Sequence, residues 1–173
     1  ATIDPLTGAC NRRSFFENTN AAIANADGDE PISVIMLDVD HFKHINDNHG
    51  HDIGDLVLRE LTDSIGSDCP IFGRLGGEEF AAVLVGGSAE SAYDHAEKMR
   101  LKIGQLCIPV KNKTISITCS FGICEREGQD DLDSILRKAD IALYAAKRSG
   151  RDKTIIFSPD CDEVVPDLES AFG

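Results

Sequence analysis

The chain lacks an excess of basic residues. Its 17 lysines and arginines are outnumbered by 30 aspartates and glutamates, which gives a formal net charge of −13. A general nucleic-acid binder needs a basic face, and an anionic membrane repels an acidic domain, so we expect neither partner. A phosphorylated substrate fits this composition only if metal ions or a local group of cations offset the acidity.

The chain also lacks a long hydrophobic run. Its longest apolar stretches, 32–37 and 80–85, are far shorter than the roughly 20 residues that cross a bilayer. The first residues contain neither the basic nor the apolar region of a signal peptide. We therefore expect a cytoplasmic domain. Because the chain begins with Ala1 and not with Met, we expect a piece of a longer protein, which could itself be membrane-anchored.

No pair of the six cysteines has the Cys-x-x-Cys spacing of a zinc site. Several of them lie in apolar stretches such as 115–124. We therefore interpret the cysteines as buried free thiols in a reducing cytosol.

The pattern of apolar residues predicts helices and strands that alternate within one domain. The 173 residues are 42% hydrophobic and 27% charged, which fits one globular unit with its own core. We predict helices at 12–25, 51–66, 88–106 and 131–149, and strands at 32–38, 71–75, 80–85, 108–110, 114–116, 117–123 and 154–157. Segment 40–50 is predicted as a loop or short helix. The domain is predicted to span 1–157, followed by an acidic tail at 158–173.

The strands at 71–75 and 80–85 are predicted to form a hairpin, because the Gly-Gly pair between them permits a tight turn. The strand at 32–38 is apolar on both faces and is predicted to be central. A hairpin within an alternating pattern favours a mixed or antiparallel sheet with helices on its faces over a fully parallel one.

Three carboxylates are predicted to meet at one edge of this sheet. Asp38 ends the central strand, and Glu78 and Glu79 lie on the hairpin turn. Like charges that are close together resist ionisation unless a cation compensates them. Mg²⁺ prefers such hard oxygen ligands and shares them with substrate phosphates. Taken alone, the two glutamates fit an ordinary solvated turn better than a metal site.

Five segments, in order, resemble the motifs of GGDEF-domain diguanylate cyclases. Arg-Leu-Gly-Gly-Glu-Glu-Phe at 74–80 resembles the defining motif, in the variant with Glu at its third position. The other four are Asp-Pro-Leu-Thr-Gly with Asn-Arg-Arg at 4–13, Asp-Val-Asp-His-Phe-Lys-His-Ile-Asn-Asp at 38–47, Gly-His-Asp-Ile-Gly-Asp at 50–55, and Ala-Asp-Ile-Ala-Leu-Tyr-Ala-Ala-Lys with Gly-Arg at 139–151. The resemblance implies an α/β (α+β) fold: a mixed, mainly antiparallel five-stranded sheet flanked by helices, similar to the polymerase palm and class III adenylyl cyclases.

The resemblance implies an enzyme that condenses two GTP molecules into cyclic di-GMP, with release of two pyrophosphates, by two-metal-ion phosphoryl transfer. Two Mg²⁺ ions, or Mn²⁺ in their place, would be held by Asp38, the carbonyl of Val39, Glu78 and Glu79. Glu78 and Glu79 are the candidate catalytic residues, and the division of roles between them stays open. Asp40 either belongs to the site or caps local backbone amides.

The same resemblance assigns the triphosphate contacts. The backbone at Phe42 and the charge of Lys43 would hold the terminal phosphates, together with Lys147 and Arg151. Gly76 and Gly77 would let the backbone approach the α-phosphate, although a purely structural turn is the alternative.

The guanine contacts are assigned to Asn46 and Asp55. A carboxylate accepts from guanine N1–H and from the exocyclic amine, and adenine lacks that donor edge. His51 either lines the nucleotide site or caps the following helix. Arg74 either braces the turn or contacts a phosphate. Asn11, Arg12 and Arg13 are expected to fix the N-terminal segment.

The sequence departs from the family at the product-inhibition motif. Ser67 and Pro70 stand where many members have Arg and Asp, so we predict no tight product binding there. Because one site holds one GTP, catalysis needs a homodimer, and we expect a sensor or dimerisation domain on the N-terminal side. The alternatives are a non-catalytic GTP-binding regulatory module, and a nucleotidyltransferase that makes a different product.

Overall fold

The computed structural model describes residues 1–162, in which helices and strands alternate as predicted. The helices are α1 (Arg12–Asn25), α2 (Phe42–His49), α3 (His51–Ile65), α4 (Ala89–Gly104), α5 (Leu132–Arg148) and α6 (Pro159–Asp162). The strands are β1 (Ile32–Val39), β2 (Ile71–Gly76), β3 (Glu79–Val85), β4 (Ile108–Val110), β5 (Lys113–Ile115), β6 (Cys119–Glu125) and β7 (Thr154–Ile156). Among these residues, no helix has both the length and the apolar composition that a membrane span requires.

Five strands form one sheet in the order β2-β3-β1-β6-β7. The pairs β2–β3, β3–β1 and β1–β6 are antiparallel, and β6–β7 is parallel, so the predicted mixed, mainly antiparallel sheet is confirmed. Strand β1 is central and buried along its whole length, as its apolar sequence requires. Strands β4 and β5 form a separate two-stranded hairpin.

Helices cover both faces of the sheet. The alternate β1 residues Ile35 and Leu37 pack in the cluster that contains α3 and α4, whereas Val34 and Met36 pack in the cluster that contains α1 and α5. By the same alternation, Asp38 at the end of β1 belongs to the α1–α5 side. The position of α5 on that side therefore decides which side chains reach Asp38.

Helix α5 lies very close to the sheet because β6 has Gly122 beneath it. A Cβ at residue 122 would lie 2.2 Å from the carbonyl oxygen of Ala139 and 2.3 Å from the backbone nitrogen of Leu143. Those atoms belong to the helix backbone and cannot move aside as a side chain does. Gly122 thus sets the distance of α5 from the sheet.

Of the two alternatives for segment 40–50, the short helix is the one that occurs, because the segment contains the two-turn helix α2. Some predicted boundaries were wrong. Strand β6 begins two residues later than predicted and ends two residues later, at Glu125, because its pairing with β1 continues to Ser33 opposite Glu125. In the predicted acidic tail, α6 occupies Pro159–Asp162, and 163–173 lie outside the described residues.

The prediction of buried thiols holds for only half of the cysteines. No disulfide joins the six, which all lie within the described part of the chain. Cys69, Cys119 and Cys124 are buried, whereas Cys10 and Cys161 are half-buried and Cys107 is exposed.

Candidate active site

The pairing of β1 with β3 brings the predicted carboxylates together. Asp38 lies directly opposite Glu79 in the antiparallel register, so the two side chains share a face of the sheet. Glu78 lies on the turn that precedes Glu79. Gly77 in that turn has φ of 48°, a left-handed conformation that glycine adopts without strain. The sequence prediction of a carboxylate cluster at one sheet edge is therefore matched by the geometry.

Arg74 braces this turn. Its Nε donates to the carbonyl oxygen of Gly77 at 2.8 Å, and its Nη1 donates to both carboxylate oxygens of Asp4 at 3.2 and 3.3 Å. Asp4 also accepts hydrogen bonds from the backbone N–H and hydroxyl of Thr7. The N-terminal segment is thus tied to the hairpin, which favours the bracing alternative for Arg74.

Asp38 is almost fully buried and is paired with Lys147. The Lys147 Nζ lies 2.5 Å from Asp38 Oδ2, and the two side chains are 13% and 1% exposed. Oδ1 of Asp38 is buried, and no residue in the described part of the chain gives it a hydrogen bond. Burial raises the pKa of Asp38, the Lys147 ammonium opposes that rise, and Glu78 and Glu79 add to it. An ammonium in contact favours the ionised carboxylate.

Glu79 has a second acidic neighbour, Asp140 on α5. Burial raises the pKa of Glu79, and Lys147 and Arg12 partly offset it. Burial likewise raises the pKa of Asp140 to about 7, with repulsion from Glu79 as the next cause. Oδ1 of Asp140 is buried and has no hydrogen-bond partner. The sequence reasoning gave Asp140 no role, because nothing in a helical pattern marks this residue as facing other carboxylates.

Asp40 is buried, and both oxygens of its carboxylate accept hydrogen bonds from the protein. Oδ2 accepts from the Thr118 hydroxyl at 2.7 Å and from the backbone N–H of Asp152 at 3.1 Å, and Oδ1 accepts from the Ser120 hydroxyl at 2.6 Å. This network ties the end of β1 to β6 and to the loop after α5. Of the two readings of Asp40, the local hydrogen-bonding role is the one that the contacts support.

A cavity of about 190 Å³ opens beside the carboxylates, where β1 ends and α2 begins. Residues predicted to bind metal and residues predicted to bind phosphate both line this cavity. The lining residues are Asp38, Val39, Asp40, His41, Phe42, Lys43, His44, Glu78, Lys147 and Arg151. His41, with φ of 57°, turns the chain sharply so that the first amides of α2 begin at this cavity. Glu78 lines the cavity, whereas Glu79 does not.

Asn46 and Asp55 lie outside that cavity, on the neighbouring helices α2 and α3. Oδ1 of Asn46 is buried without a partner, and a Cβ at Gly54 would lie 1.9 Å from it. Gly54 is therefore what lets Asn46 lie against the first turn of α3, which also carries the half-buried Asp55. His51 is exposed, and the N-cap of α3 is Gly50, so the alternative in which His51 caps α3 is wrong.

The three N-terminal residues Asn11, Arg12 and Arg13 make different contacts. Asn11 caps α1, because its Oδ1 accepts from the backbone N–H of Ser14 at 2.9 Å. Arg12 packs its guanidinium 5.0 Å from the centre of the Phe16 ring, and its charge also acts on Glu79 and Asp140. Arg13 is exposed and pairs with Glu17 one turn along the same helix, so the expectation that it fixes the N-terminal segment is wrong.

The carboxyl oxygens suit a hard divalent cation, and the unpaired Oδ1 of Asp38 leaves a buried acceptor unsatisfied. Within residues 1–162, however, no three His, Cys, Asp or Glu side chains are arranged as a ready-made metal site. The ammonium of Lys147, and not a ring of carboxylates, contacts Asp38. This ion pair was missed from sequence because 109 residues separate its partners.

Comparison with known proteins gives a consistent result. The family model described as diguanylate cyclase, GGDEF domain, matches residues 1–153. A diguanylate cyclase of Vibrio cholerae is 40% identical over 161 residues, which cover 91% of this chain and 50% of the relative. The diguanylate cyclase DgcP of Pseudomonas aeruginosa is 38% identical over 158 residues, which cover 88% of this chain and 23% of DgcP. The chain thus spans half or less of these relatives.

Solved structures share the architecture. The GGDEF domain of DgcB from Caulobacter crescentus, in complex with c-di-GMP, superposes with a TM-score of 0.86 at 36% identity, covering 90% of this chain and 95% of that one. The active GGEEF domain of a diguanylate cyclase from Vibrio cholerae gives a TM-score of 0.79 at 38% identity, covering 86% and 97%. That domain is named for the same Gly-Gly-Glu-Glu-Phe motif that occurs here at 76–80.

Proposed function

The chain belongs to the GGDEF family of diguanylate cyclases, and on that premise we propose that it condenses two GTP molecules into cyclic di-GMP, with release of two pyrophosphates. The observation that carries the proposal is the register of β1 and β3, which places Asp38 opposite Glu79 with Glu78 beside the adjoining cavity. Three carboxyl groups converge where β1 ends. The non-catalytic alternative would not require all three to be retained.

The family uses divalent cations in general, and we propose Mg²⁺ for this chain. Asp38, the carbonyl of Val39, Glu78 and Glu79 would hold it. Bound there, Mg²⁺ supplies charge stabilisation to the attacking and leaving oxygens of phosphoryl transfer. Glu78 lines the cavity and we assign it the substrate side, where its carboxylate is available to the proton of the ribose 3′-hydroxyl. Glu79 does not line the cavity, and its nearby charge repels that of Asp140.

Three cationic side chains line the cavity and are available to bind the triphosphate. Lys43 and Arg151 are exposed on its wall, and Lys147 reaches it from the last turn of α5. The backbone N–H groups at the start of α2, including that of Phe42, have no partners within the helix and suit phosphate oxygens. Gly76 and Gly77 have no atom within 4 Å of an added Cβ, so a nucleotide could approach their backbone closely.

We propose that Asn46 and Asp55 read the guanine base and that His51 borders it. The buried Oδ1 of Asn46 has no partner among residues 1–162 and suits a base donor. Adenine would leave such an acceptor unsatisfied, which is the physical basis of discrimination against ATP. The exposed turn with Ser67 and Pro70 lacks the charged pair for product binding, and its Asp68 is instead paired with Lys102 of α4 at 3.1 Å.

One domain binds one GTP, so we propose that two copies face each other, each presenting its nucleotide to the other. The test uses this chain fused to a parallel coiled coil, with GTP and Mg²⁺, and chromatography of the products. We expect cyclic di-GMP from the wild type. We expect Glu78→Gln to lower kcat by roughly a hundredfold or more, because its carboxylate belongs to the set that stabilises transition-state charge.

The control is Glu90→Gln, which makes the same change at an exposed position of α4 away from the cavity. It should retain the wild-type rate. No cyclic dinucleotide from the wild-type fusion would defeat the proposed function, and full activity of Glu78→Gln would defeat the placement of the chemistry.

A further inference from the structure

The ammonium of Lys147 contacts Asp38, which is one of the residues proposed to hold Mg²⁺. Asp38 Oδ2 lies 2.5 Å from the ammonium, and Asp38 is the most buried of the carboxylates that would hold Mg²⁺. A divalent cation on the unpaired Oδ1 of the same carboxylate would lie close to this ammonium on Oδ2, and the two positive charges repel each other. Lys147 therefore competes with any metal ion for Asp38.

The backbone that carries Lys147 is held in place independently of the Lys147 side chain. Lys147 lies in the last turn of α5, whose backbone is fixed on the sheet by the close contact at Gly122. Its charge lies at the end of a flexible four-carbon stem, so it can change partners while the helix stays in place. The side chain also lines the cavity that contains Lys43 and Arg151, so an alternative anionic partner bound there would be within reach.

If the ion pair were purely structural, we would expect both oxygens of the buried carboxylate to have partners, because an incompletely compensated buried charge destabilises the fold. Here Oδ1 of Asp38 has no partner, and Glu78 and Glu79 add repulsion from the same side. The pair thus compensates the charge of Asp38 only in part. A divalent cation would compensate it better, provided that Lys147 finds another anion.

We infer that Lys147 holds Asp38 in the nucleotide-free chain and exchanges it for the terminal phosphates when nucleotide binds, so that metal and triphosphate binding are positively coupled. This inference rests on the proposed function and adds to it a binding order: metal alone binds weakly, and the triphosphate strengthens its binding by removing the competitor. By linkage, the metal strengthens triphosphate binding by the same factor.

The test measures binding of Mn²⁺ alone by electron paramagnetic resonance, without nucleotide. Lys147→Met removes the competitor and should tighten Mn²⁺ binding about tenfold or more, within the range usual for coupled sites. Lys43→Met is the matched control: it removes the same charge from the wall of the same cavity but has no contact with Asp38. Because an exposed charge is screened, it should tighten binding less than about threefold.

Equal tightening by the two variants, or none by Lys147→Met, would overturn the exchange. Circular dichroism checks that each variant folds. If Lys147→Met does not fold, lysine labelled with ¹³C at Cε in the wild type decides the matter. Saturating Mg²⁺ should then shift the Lys147 resonance and leave that of Lys43 in place, whereas an unmoved Lys147 resonance would overturn the exchange.

Neither readout depends on turnover. A chain that shows the Mn²⁺ difference but makes no cyclic di-GMP would support the exchange and defeat the proposed function. A chain that makes cyclic di-GMP with equal Mn²⁺ affinities would overturn the exchange alone. Absence of Mn²⁺ binding in every variant, including Lys147→Met, would overturn the exchange alone, because the proposed function is tested separately by the formation of cyclic di-GMP.

Discussion

Asp140 is a half-buried residue, with a buried Oδ1, that the proposed chemistry does not use. It lies on α5 about two turns before Lys147, on the same side of the helix. Its Oδ1 has no partner, and its charged neighbours are Glu79, Lys147 and Arg12. Burial and Glu79 favour the protonated form, so Asp140 couples the stability of the domain to pH.

We predict that Asp140→Asn weakens the loss of stability with rising pH. The pKa of Asp140 rises on folding from 3.8 to about 7, so between these values the folded chain binds the extra proton and the free energy of unfolding falls as pH rises. Asn cannot ionise and should remove roughly 2–3 kcal/mol of that fall between pH 5 and pH 8. Urea unfolding at both pH values, with chelator present, measures it.

The control for this change is Asp133→Asn, at an exposed position in the first turn of the same helix. It should keep the wild-type difference between the two pH values. A wild-type chain that is equally stable at pH 5 and pH 8, or an Asp140→Asn chain with an undiminished difference, would contradict the prediction.

The sequence predicted the site residues unevenly, for reasons visible in single contacts. Asp38 and the hairpin glutamates were placed together because strand ends that are neighbours in a sheet bring their next residues to one edge. The pairing of Lys147 with Asp38 was not foreseen, because it depends on how closely α5 approaches the sheet at Gly122. The role of Asp40 was left open, because its partners Thr118, Ser120 and Asp152 come from distant segments.

At the scale of elements, the proposed base site depends on how α2 lies against α3. Gly54 in α3 leaves room for Asn46 of α2, and a Cβ there would also lie 3.2 Å from the Phe42 ring. The same element, α2, was left open between loop and helix from its sequence. Its eight residues include no buried one, so hydrophobic periodicity gave little signal. The longer helices, with buried stripes, were predicted closely.

We predict that Gly54→Ala lowers affinity for GTP at least about tenfold while the domain still folds. The new Cβ would overlap Asn46 Oδ1, which is the end of a side chain and can move aside, at an overpacking cost of about 1–3 kcal/mol. The movement displaces the group that we assign to guanine. Equilibrium binding of an α,β-methylene GTP analogue measures the loss.

Gly104→Ala provides the matched control. Gly104 ends α4 and has no atom within 4 Å of an added Cβ, so alanine should stabilise the helix by up to about 1 kcal/mol and leave nucleotide affinity unchanged. Unchanged affinity in Gly54→Ala would contradict the assignment of Asn46 to the base.

At the scale of the whole molecule, the acidity of the chain bears on its activity. Two copies with a formal charge of −13 each repel one another over distances up to the Debye length, about 8 Å at physiological ionic strength. The proposed reaction nonetheless needs two copies whose sites face each other. Three of the 17 lysines and arginines, Lys43, Lys147 and Arg151, line the cavity, where they attract a nucleotide more directly than they attract a second domain.

We predict that the rate of cyclic di-GMP formation by the unfused chain rises with the square of its concentration under dilute conditions. Association of two acidic domains limits turnover there, whereas the coiled-coil fusion holds the pair together and should give a rate proportional to concentration. Initial rates measured over a roughly hundredfold range of chain concentration distinguish the quadratic dependence from the proportional one. A proportional rate from a chain shown to be monomeric by sedimentation would mean that one domain completes the reaction, and would contradict the facing arrangement. The fusion also separates the two causes of a low rate, because a defect within the site persists in the fused protein and a defect of association does not.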